Sequence, residues 1–201
     1  LKVQSAKFKV DELIDCLLDN RGIDKKEREN FITPKLEYVT SESVGIDLKQ
    51  LQKALKRIQK AIDKKEQIIV FGDYDVDGIT GSAILWETLH SLGANALPYI
   101  PHRVDEGYGL SEKGISNVQY QISNVKLIIT VDNGIVANEA VTFANEQGID
   151  VIITDHHTVG EKLPDAYAVV HTTKLCGAGV ALLLAKEISN FKFQIPNSKK
   201  D

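Results

Sequence analysis

Short apolar runs alternate with helical patterns along the last two thirds of the chain. The runs at Gln67–Phe71, 125–131 and 151–154 are apolar on both faces, and patterns of helical length lie between them. Strands of this kind fit a parallel sheet that is buried between layers of helices. The sequence therefore predicts an α/β fold with an open, parallel-type sheet flanked by helices, but it does not fix the order of the strands.

The remaining elements follow from the same periodicities. Further strands are expected at 95–99 and 167–171. Helices are expected at 79–92, 111–121 with Ser111 as N-cap, 137–147 and 179–188. Before residue 67 the chain has helical spacing at 10–18 and 48–62, and we interpret the lysines and arginines of the second stretch as a solvated face. We expect residues 1–66 to be a helical N-terminal cap segment and residues 67–201 to be the catalytic-type domain.

Charge is distributed unevenly between these two parts. Residues 1–66 carry 15 Lys and Arg against 12 Asp and Glu, whereas residues 67–201 carry 9 against 16. Bound divalent cations would offset part of the negative field in the second part, which would otherwise repel a phosphate substrate. The sequence has no apolar run long enough to span a membrane, and Cys16 and Cys176 form no paired motif. We therefore expect a cytoplasmic protein with no membrane partner.

Acids and histidines cluster where three of the predicted strands end. The clusters are Gly72-Asp73-Tyr74-Asp75-Val76-Asp77-Gly78, Val131-Asp132-Asn133-Gly134 and Thr154-Asp155-His156-His157-Thr158. Ligands commonly bind at the carboxyl edge of an open α/β sheet. Clustered carboxylates repel one another unless cations lie among them, and adjacent histidines add the nitrogen ligands that manganese, zinc or iron accept. The coincidence of all three clusters predicts a two-metal phosphoesterase site.

Each cluster taken alone has a simpler interpretation. The first can be an Asp-rich surface turn with a helix N-cap, and Asp132 can belong to a turn that starts a helix. An EF-hand loop that started at Asp73 would need Glu at its twelfth position, where this sequence has Ile84. The sequence therefore disfavours a calcium-storage loop, whereas the turn and N-cap interpretations stay open for each cluster by itself.

Taken in order, these motifs resemble the DHH phosphoesterase superfamily, and within it the RecJ-type single-strand-specific exonucleases. The resemblance covers nearly the whole chain and also includes these segments: Asn20-Arg21-Gly22-Ile23, Phe31-Ile32-Thr33-Pro34, Pro101-His102-Arg103, Glu106-Gly107-Tyr108-Gly109 and Cys176-Gly177-Ala178-Gly179-Val180. It implies two manganese ions, or magnesium in their place, and hydrolysis from a 5′ end of single-stranded DNA in recombination and repair. A single-strand-binding protein or a helicase is the candidate protein partner.

The resemblance also implies roles for individual residues. Metal ligands are expected at Asp75, Asp77, Asp132 and His156, with Asp132 as a bridge between ions. Asp73 and Asp155 are expected to be ligands or to support them, and His157 to face the scissile phosphate. Substrate contacts are expected from four further residues: Arg103 to the backbone, Tyr108 to a base, and Gly177 and Gly179 to an anion at a helix start. By themselves, these four residues are equally compatible with a surface arginine at 103 and with close packing at 108, 177 and 179.

Two departures from the family pattern bear on activity. Only residues 171–175 separate the last predicted strand from Cys176, where RecJ-type chains have a longer stretch. The chain also stops near the place expected for a fourth motif with another ligand Asp. We therefore expect the 67–201 domain to be truncated at its C-terminus, so that residues 1–201 alone bind metal incompletely and cleave DNA poorly.

Three further functions compete with that of an exonuclease. The acidic charge and the lack of a basic groove suit a phosphodiesterase of short oligonucleotides or cyclic dinucleotides, whereas Arg103 and the 106–109 loop favour the RecJ type. A pyrophosphatase of the superfamily has a histidine ligand where this chain has Phe71. A non-catalytic scaffold would have little reason to keep every acid and histidine of three motifs.

Overall fold

The computed structural model describes residues 10–194, which belong to two compact units that divide after Val39. In the first unit, helix α1 (Val10–Asn20) ends before Gly22, and helix α2 (Arg28–Ile32) is followed by one 3-10 turn at Leu36–Tyr38. Arg28 donates hydrogen bonds to Asp15 and Asp19 and so ties α2 to α1. Only α1 was predicted, because α2 and the turn are too short to show a helical period.

The second unit begins at Thr40 and contains one five-stranded parallel sheet. Its strands are β1 (Gln67–Phe71), β2 (Ala96–Tyr99), β3 (Val125–Thr130), β4 (Asp150–Asp155) and β5 (Ala168–His171). Their order across the sheet is β2-β1-β3-β4-β5, and every neighbouring pair is parallel. This confirms the predicted fold class and supplies the strand order that the sequence left open.

Helices cover both faces of this sheet. They are α3 (Leu48–Asp63), α4 (Val76–Ser91), α5 (Arg103–Glu106), α6 (Glu112–Gln121), α7 (Asn138–Glu146) and α8 (Gly177–Gln194). One face packs against α6 and α7 through residues such as Phe71, Ile128 and Ile153, and α3, α4 and α8 contact the strands from the other side. Side chains alternate between the faces of a strand, so the buried stretches 68–71 of β1, 127–129 of β3 and 151–153 of β4 are apolar on both faces. No helix in residues 10–194 is long and apolar enough to cross a membrane.

The predicted helix α4 starts too late by three residues. It was expected at Ile79, but Asp75 caps it by accepting a hydrogen bond from the backbone N–H of Gly78, 2.9 Å away, and the helix begins at Val76. Asp77 therefore lies in the first turn of the helix. Helix α8 likewise begins at Gly177, two residues before the predicted start. Ser111 is the N-cap of α6, as predicted.

Helix α3 belongs to the same compact unit as the sheet and packs against β5 and α8. Its buried Arg57 donates to Asp150, to Glu66 at 2.8 Å and to the backbone oxygen of Lys126 at 3.0 Å. These bonds fasten α3 to the amino-terminal edge of the sheet, opposite the predicted site. The division into a 1–66 cap segment and a 67–201 domain stays a prediction.

Candidate metal centre

The three acid clusters meet where the direction of the chain across the sheet reverses. From β1 the chain crosses to β2 on one side, whereas β3, β4 and β5 follow on the other side. The crevice at such a switch point, beyond the carboxyl ends of the strands, is the usual ligand site of an open α/β sheet. Asp73 and Asp132 follow the two strands that border the crevice, and Asp155 ends the next strand.

Asp73 lies in a buried turn between β1 and α4. Its Oδ1 accepts a hydrogen bond of 2.7 Å from the backbone N–H of Tyr74. The turn is tight, since a Cβ on Gly78 would lie 2.6 Å from the backbone N of Asp73. Burial and the charge of Asp75 raise the pKa of Asp73, although the Tyr74 hydrogen bond opposes them. A nearby cation would relieve this cost of ionisation.

The carboxylate of Asp77 is bonded to the start of α8. Its Oδ2 accepts from the backbone N–H of Gly177 at 2.6 Å, and its Oδ1 accepts from that of Ala178 at 2.8 Å. Burial raises the pKa of Asp77, but hydrogen bonds from Ala178, the Cys176 thiol and Gly177 outweigh it, so the net pKa is lowered. Asp77 is therefore ionised, and its carboxylate is the anion that the backbone amides at the start of α8 bind.

Asp132 is the most perturbed acid of the site. It is 2% exposed and has φ of +65°, which places it in the left-handed region that Asp and Asn tolerate better than most residues. Its Oδ1 lies 3.0 Å from Nε2 of His156, but the two atoms are not aligned for a hydrogen bond, and no other group in residues 10–194 satisfies this oxygen. Burial and the charges of Asp77 and Asp75 raise the pKa of Asp132 to about 7.

Asp155 holds the two histidines in place. Its Oδ1 accepts from the backbone N–H of His156 at 2.7 Å and from Nδ1 of His157 at 2.7 Å, and its Oδ2 accepts from the backbone N–H of Ile135 at 2.9 Å. Partial burial lowers the pKa of His157, but the hydrogen bond and charge of Asp155 outweigh it, so the net pKa is raised. The bonds of Asp155 therefore orient His157, and the role of Asp155 as a ligand or catalytic residue stays a prediction.

Two groups of three side chains place their ligand atoms within 4.8 Å of one another. One group is Asp73, Asp75 and Asp132, and the other is Asp132, His156 and His157. Asp132 belongs to both, so the described residues can hold two ions that share this carboxylate. Its buried oxygen without a hydrogen bond is what a metal ligand requires, and carboxylate and imidazole donors suit manganese. Asp77 belongs to neither group, and its role as a ligand stays a prediction.

Aromatic and cationic side chains form a row beside these acids. The guanidinium of Arg103 lies 4.8 Å from the ring centre of Tyr74, whose ring meets that of Tyr108 edge-on at 6.2 Å. The Tyr108 hydroxyl lies 3.4 Å from Nε2 of His157. The structure therefore brings Arg103 and Tyr108 to the site, and it adds Tyr74, which was not predicted although it lies within the first motif.

The predicted anion site at Gly177 and Gly179 has a different geometry. The amide of Gly177 is bonded to Asp77, and a Cβ on Gly177 would lie 2.3 Å from Oδ1 of Asp132. A Cβ on Gly179 would meet Leu175 at 3.2 Å. Gly177 therefore brings α8 close to the acids, whereas Gly179 packs against Leu175, and the contact of either glycine with substrate stays a prediction.

Asn133 is a further residue whose role the sequence did not reveal. It is buried, its Oδ1 accepts from the backbone N–H of Leu110 at 3.1 Å, and its Nδ2 donates to the backbone oxygens of Phe71 and Val131. A single side chain thus ties the loop that carries Tyr108 to the ends of β1 and β3. The sequence signal was its place directly after Asp132, which by itself indicates only a turn.

Comparison with known proteins agrees with this geometry. A model of the DHH family, N-terminal domain, matches residues 67–200. The chain belongs to the DHH family. Among curated relatives of this DHH chain, the single-stranded-DNA-specific exonuclease RecJ of Bacillus subtilis is 37% identical over 196 residues, which are 92% of this chain and 24% of the relative. RecJ of Thermus thermophilus is 42% identical over 69% of this chain and 21% of its own length.

Solved structures of RecJ proteins also match this chain. The DHH chain matches a crystal structure of exonuclease RecJ bound to manganese with a TM-score of 0.63 and 38% identity, over 74% of this chain and 39% of that one. It matches Thermus thermophilus RecJ with Mn²⁺ with a TM-score of 0.65 and 32% identity, over 92% of this chain and 26% of that one. The DHH chain therefore spans about a quarter of the length of the curated relatives it matches.

Proposed function

We propose that this chain forms the metal-binding part of a RecJ-like exonuclease, which hydrolyses single-stranded DNA from a 5′ end with two divalent cations. The observation that carries the proposal is Asp132, a buried carboxylate that belongs to both potential ligand groups and has an oxygen without a hydrogen bond. Substrate and direction come from the similarity to RecJ proteins. Manganese is the first candidate ion and magnesium the second, since solved RecJ structures contain one or the other.

In this proposal the acids and His156 are the metal ligands. Asp73 and Asp75 would hold one cation and His156 the other, with Asp132 shared between the two. Asp77 contributes a lone pair that its bonds to α8 leave free. Two bound cations would orient the scissile phosphodiester, lower the pKa of a water nucleophile and stabilise the leaving oxygen. Their positive charge would also offset the repulsion that raises the pKa values of Asp73 and Asp132.

His157 is proposed to face the scissile phosphate. Because a carboxylate only accepts hydrogen bonds, the proton between His157 and Asp155 is carried by Nδ1, and Nε2 is directed toward the Tyr108 hydroxyl at the open side of the site. The raised pKa of His157 favours the imidazolium, which complements the charge of a phosphate. Asp155 fixes the orientation of the ring.

Arg103 and Tyr108 are proposed to contact the substrate. The guanidinium of Arg103 lies over the ring of Tyr74. Among residues 10–194 it forms no ion pair with a carboxylate, so its donors are available to a phosphate. Tyr108 is 56% exposed and offers a ring face to a base. Gly177 contributes through the close approach of the start of α8 to Asp132.

The wider role is proposed from the relatives alone. A single-strand-specific exonuclease of this family would act in DNA recombination and repair in the cytoplasm. It would receive single strands from a helicase or from a single-strand-binding protein.

The test uses the natural polypeptide that contains these residues. We expect manganese-dependent release of nucleotides from 5′-labelled single-stranded DNA in preference to duplex, and loss of this activity in Asp132→Ala. The control Asp165→Ala, an exposed acid away from the site, should retain activity. Turnover of a cyclic dinucleotide alone would place the protein with the small-substrate phosphodiesterases. Absence of any metal-dependent turnover in the natural polypeptide would contradict the proposal.

A further inference from the structure

Five lysines lie along the solvent side of α3 and its C-cap. They are Lys49, Lys53, Lys56, Lys60 and Lys64, and all are exposed. At 100° per residue, they fall within a sector of about 80° and extend over roughly 22 Å of helix axis. The opposite side of α3 is buried through Leu51, Leu55 and Ile58. We call this set of five lysines the lysine face.

The lysine face is unusual within its own unit. Residues 40–194 carry 14 Lys and Arg against 19 Asp and Glu, and five of the 14 lie on this one face. Among residues 10–194, no carboxylate forms an ion pair with any of the five. A helix face that only needs solvation usually mixes both signs of charge. Asp63 is the acid that lines a groove with three of these lysines, and a predominance of lysine on one face of an otherwise acidic unit indicates a polyanionic partner.

One end of the lysine face adjoins the carboxyl edge of the sheet. Gln50 accepts a hydrogen bond of 3.1 Å from the backbone N–H of Val169 in β5. Lys53 lines a cavity of about 470 Å³ together with His171 at the end of β5. Nε2 of His171 lies 2.7 Å from the backbone oxygen of His157. Since β5 is the neighbour of β4, which is followed by His156 and His157, the lysine face starts at the same edge of the sheet as the metal centre.

The other end of the lysine face borders an aromatic ring. Lys56, Lys60 and Lys64 line a groove of about 330 Å³ with Gln59, with Asp63 and with Phe191 of α8. Phe191 is partly exposed. Cations that follow a phosphate backbone, next to a ring on which a base can stack, are the combination by which proteins bind single-stranded nucleic acid without sequence preference.

We propose that the lysine face and the Phe191 groove bind the backbone of single-stranded nucleic acid that extends from the metal centre. The lysines neutralise successive phosphates, and Phe191 stacks on a base at the far end. This proposal rests on the proposed function, because it assigns a path to the same strand whose end is hydrolysed. It replaces the interpretation of these lysines as a solvated face.

The test is the salt dependence of binding by the natural polypeptide. A labelled oligothymidine of about 20 nucleotides is titrated by fluorescence anisotropy in EDTA, between about 50 and 200 mM salt. In Lys56→Gln/Lys60→Gln/Lys64→Gln we expect the slope of log K against log salt to become less negative by about 2, since each single-strand phosphate contact contributes about 0.7. The matched control removes three exposed lysines elsewhere on the unit: Lys113→Gln/Lys126→Gln/Lys162→Gln. Its slope should match the wild type.

A second variant tests the aromatic ring. Phe191→Leu keeps an apolar side chain, and we expect it to weaken oligothymidine binding about fivefold or more while the salt slope stays unchanged. The triple lysine variant should still cleave a dinucleotide at the wild-type rate, because a substrate of that length does not reach from the metal centre to Phe191.

The outcomes separate this proposal from the proposed function. If the wild type cleaves single-stranded DNA but the triple lysine variant keeps the wild-type slope, the lysine face has no such role. If the triple variant loses binding of polyglutamate and keeps binding of oligothymidine, the surface binds an acidic protein, and the proposal is overturned. If the wild type neither binds nor cleaves single-stranded DNA with any divalent cation, the proposed function itself fails.

Discussion

Asp132→Asn should have opposite effects on the metal-free and the metal-loaded protein. The variant replaces a buried carboxylate by a neutral side chain of the same shape, and Asn tolerates the left-handed backbone of position 132 as well as Asp does. In the metal-free protein, ionisation of Asp132 costs stability, because the fold raises its pKa from 3.8 to about 7. At 1.36 kcal/mol per pKa unit, the full cost is about 4 kcal/mol.

The sign of the pH dependence follows from the direction of this shift. Between pH 4 and 7 the folded state keeps a proton on Asp132 that the unfolded state has lost, so the contribution of Asp132 to stability is present at low pH and disappears as pH rises through 7. Two-state linkage with these pKa values gives a loss of about 2 kcal/mol between pH 5.5 and 8 in the wild type. Asp132→Asn should lack this loss, and in EDTA at pH 8 it should be the more stable protein.

Bound manganese should make the wild type more stable than Asp132→Asn. A cation at 100 times its Kd stabilises the wild type by about 2.7 kcal/mol, whereas the variant has lost the shared ligand and should gain little. Urea unfolding can be followed by fluorescence of Trp86, the only tryptophan of the chain, which lies in α4 of the same unit as the site. Asp165→Asn serves as the matched exposed control. The reasoning would be refuted by a variant that is less stable than wild type in EDTA at pH 8, or that Mn²⁺ stabilises equally.

Two further predictions concern the surroundings of Asp132, and a third concerns the opposite edge of the sheet. Gly177→Ala places a methyl group 2.3 Å from Oδ1 of Asp132, so Mn²⁺ affinity measured by calorimetry should fall at least tenfold, about 1.4 kcal/mol. Asp155→Asn removes the charge that faces Nδ1 of His157, so the pKa of His157 should fall in an NMR titration of the metal-free protein. Arg57→Ala leaves two carboxylates unpaired at the amino-terminal edge and should cost about 2–4 kcal/mol in urea unfolding, with Mn²⁺ affinity unchanged.

Each of these predictions has a control and a contradicting result. Gly179→Ala, whose methyl group would meet only Leu175, should leave Mn²⁺ affinity within about twofold, and an equal loss in both glycine variants would argue against the steric explanation. Asp165→Asn should leave the pKa of His157 unchanged. Lys60→Ala should cost less than about 0.5 kcal/mol, and a similar small cost for Arg57→Ala would show that the buried ion pairs add no stability.

Much of the fold could be predicted because the sheet is buried on both faces. The central stretches 68–71, 127–129 and 151–153 of β1, β3 and β4 are apolar on both faces, and this pattern distinguishes them from their surroundings without tertiary information. The order of the strands could not be predicted, because it depends on which helix packs on which face. The short helices α2 and α5 were missed, since a segment of four or five residues shows no helical period.

The sequence predicted which residues belong to the site but not which hydrogen bonds they form. The motifs indicated which acids and histidines converge, and the structure brings Asp73, Asp75, Asp132, His156 and His157 into two ligand groups. The bonds of Asp77 to α8, 100 residues away, depend on tertiary packing and leave no local signal. Asn133 was missed for the same reason, because its partners belong to β1 and to the loop before α6. The individual roles of these residues stay predictions.

The most direct test of the metal centre is anomalous diffraction from crystals soaked in Mn²⁺. We expect two manganese peaks about 3.5–4 Å apart, with the carboxylate of Asp132 between them. One peak should lie beside Asp73 and Asp75 and the other beside His156. A soaked crystal with no manganese at Asp132, or with manganese bound only elsewhere on the protein, would contradict this expectation.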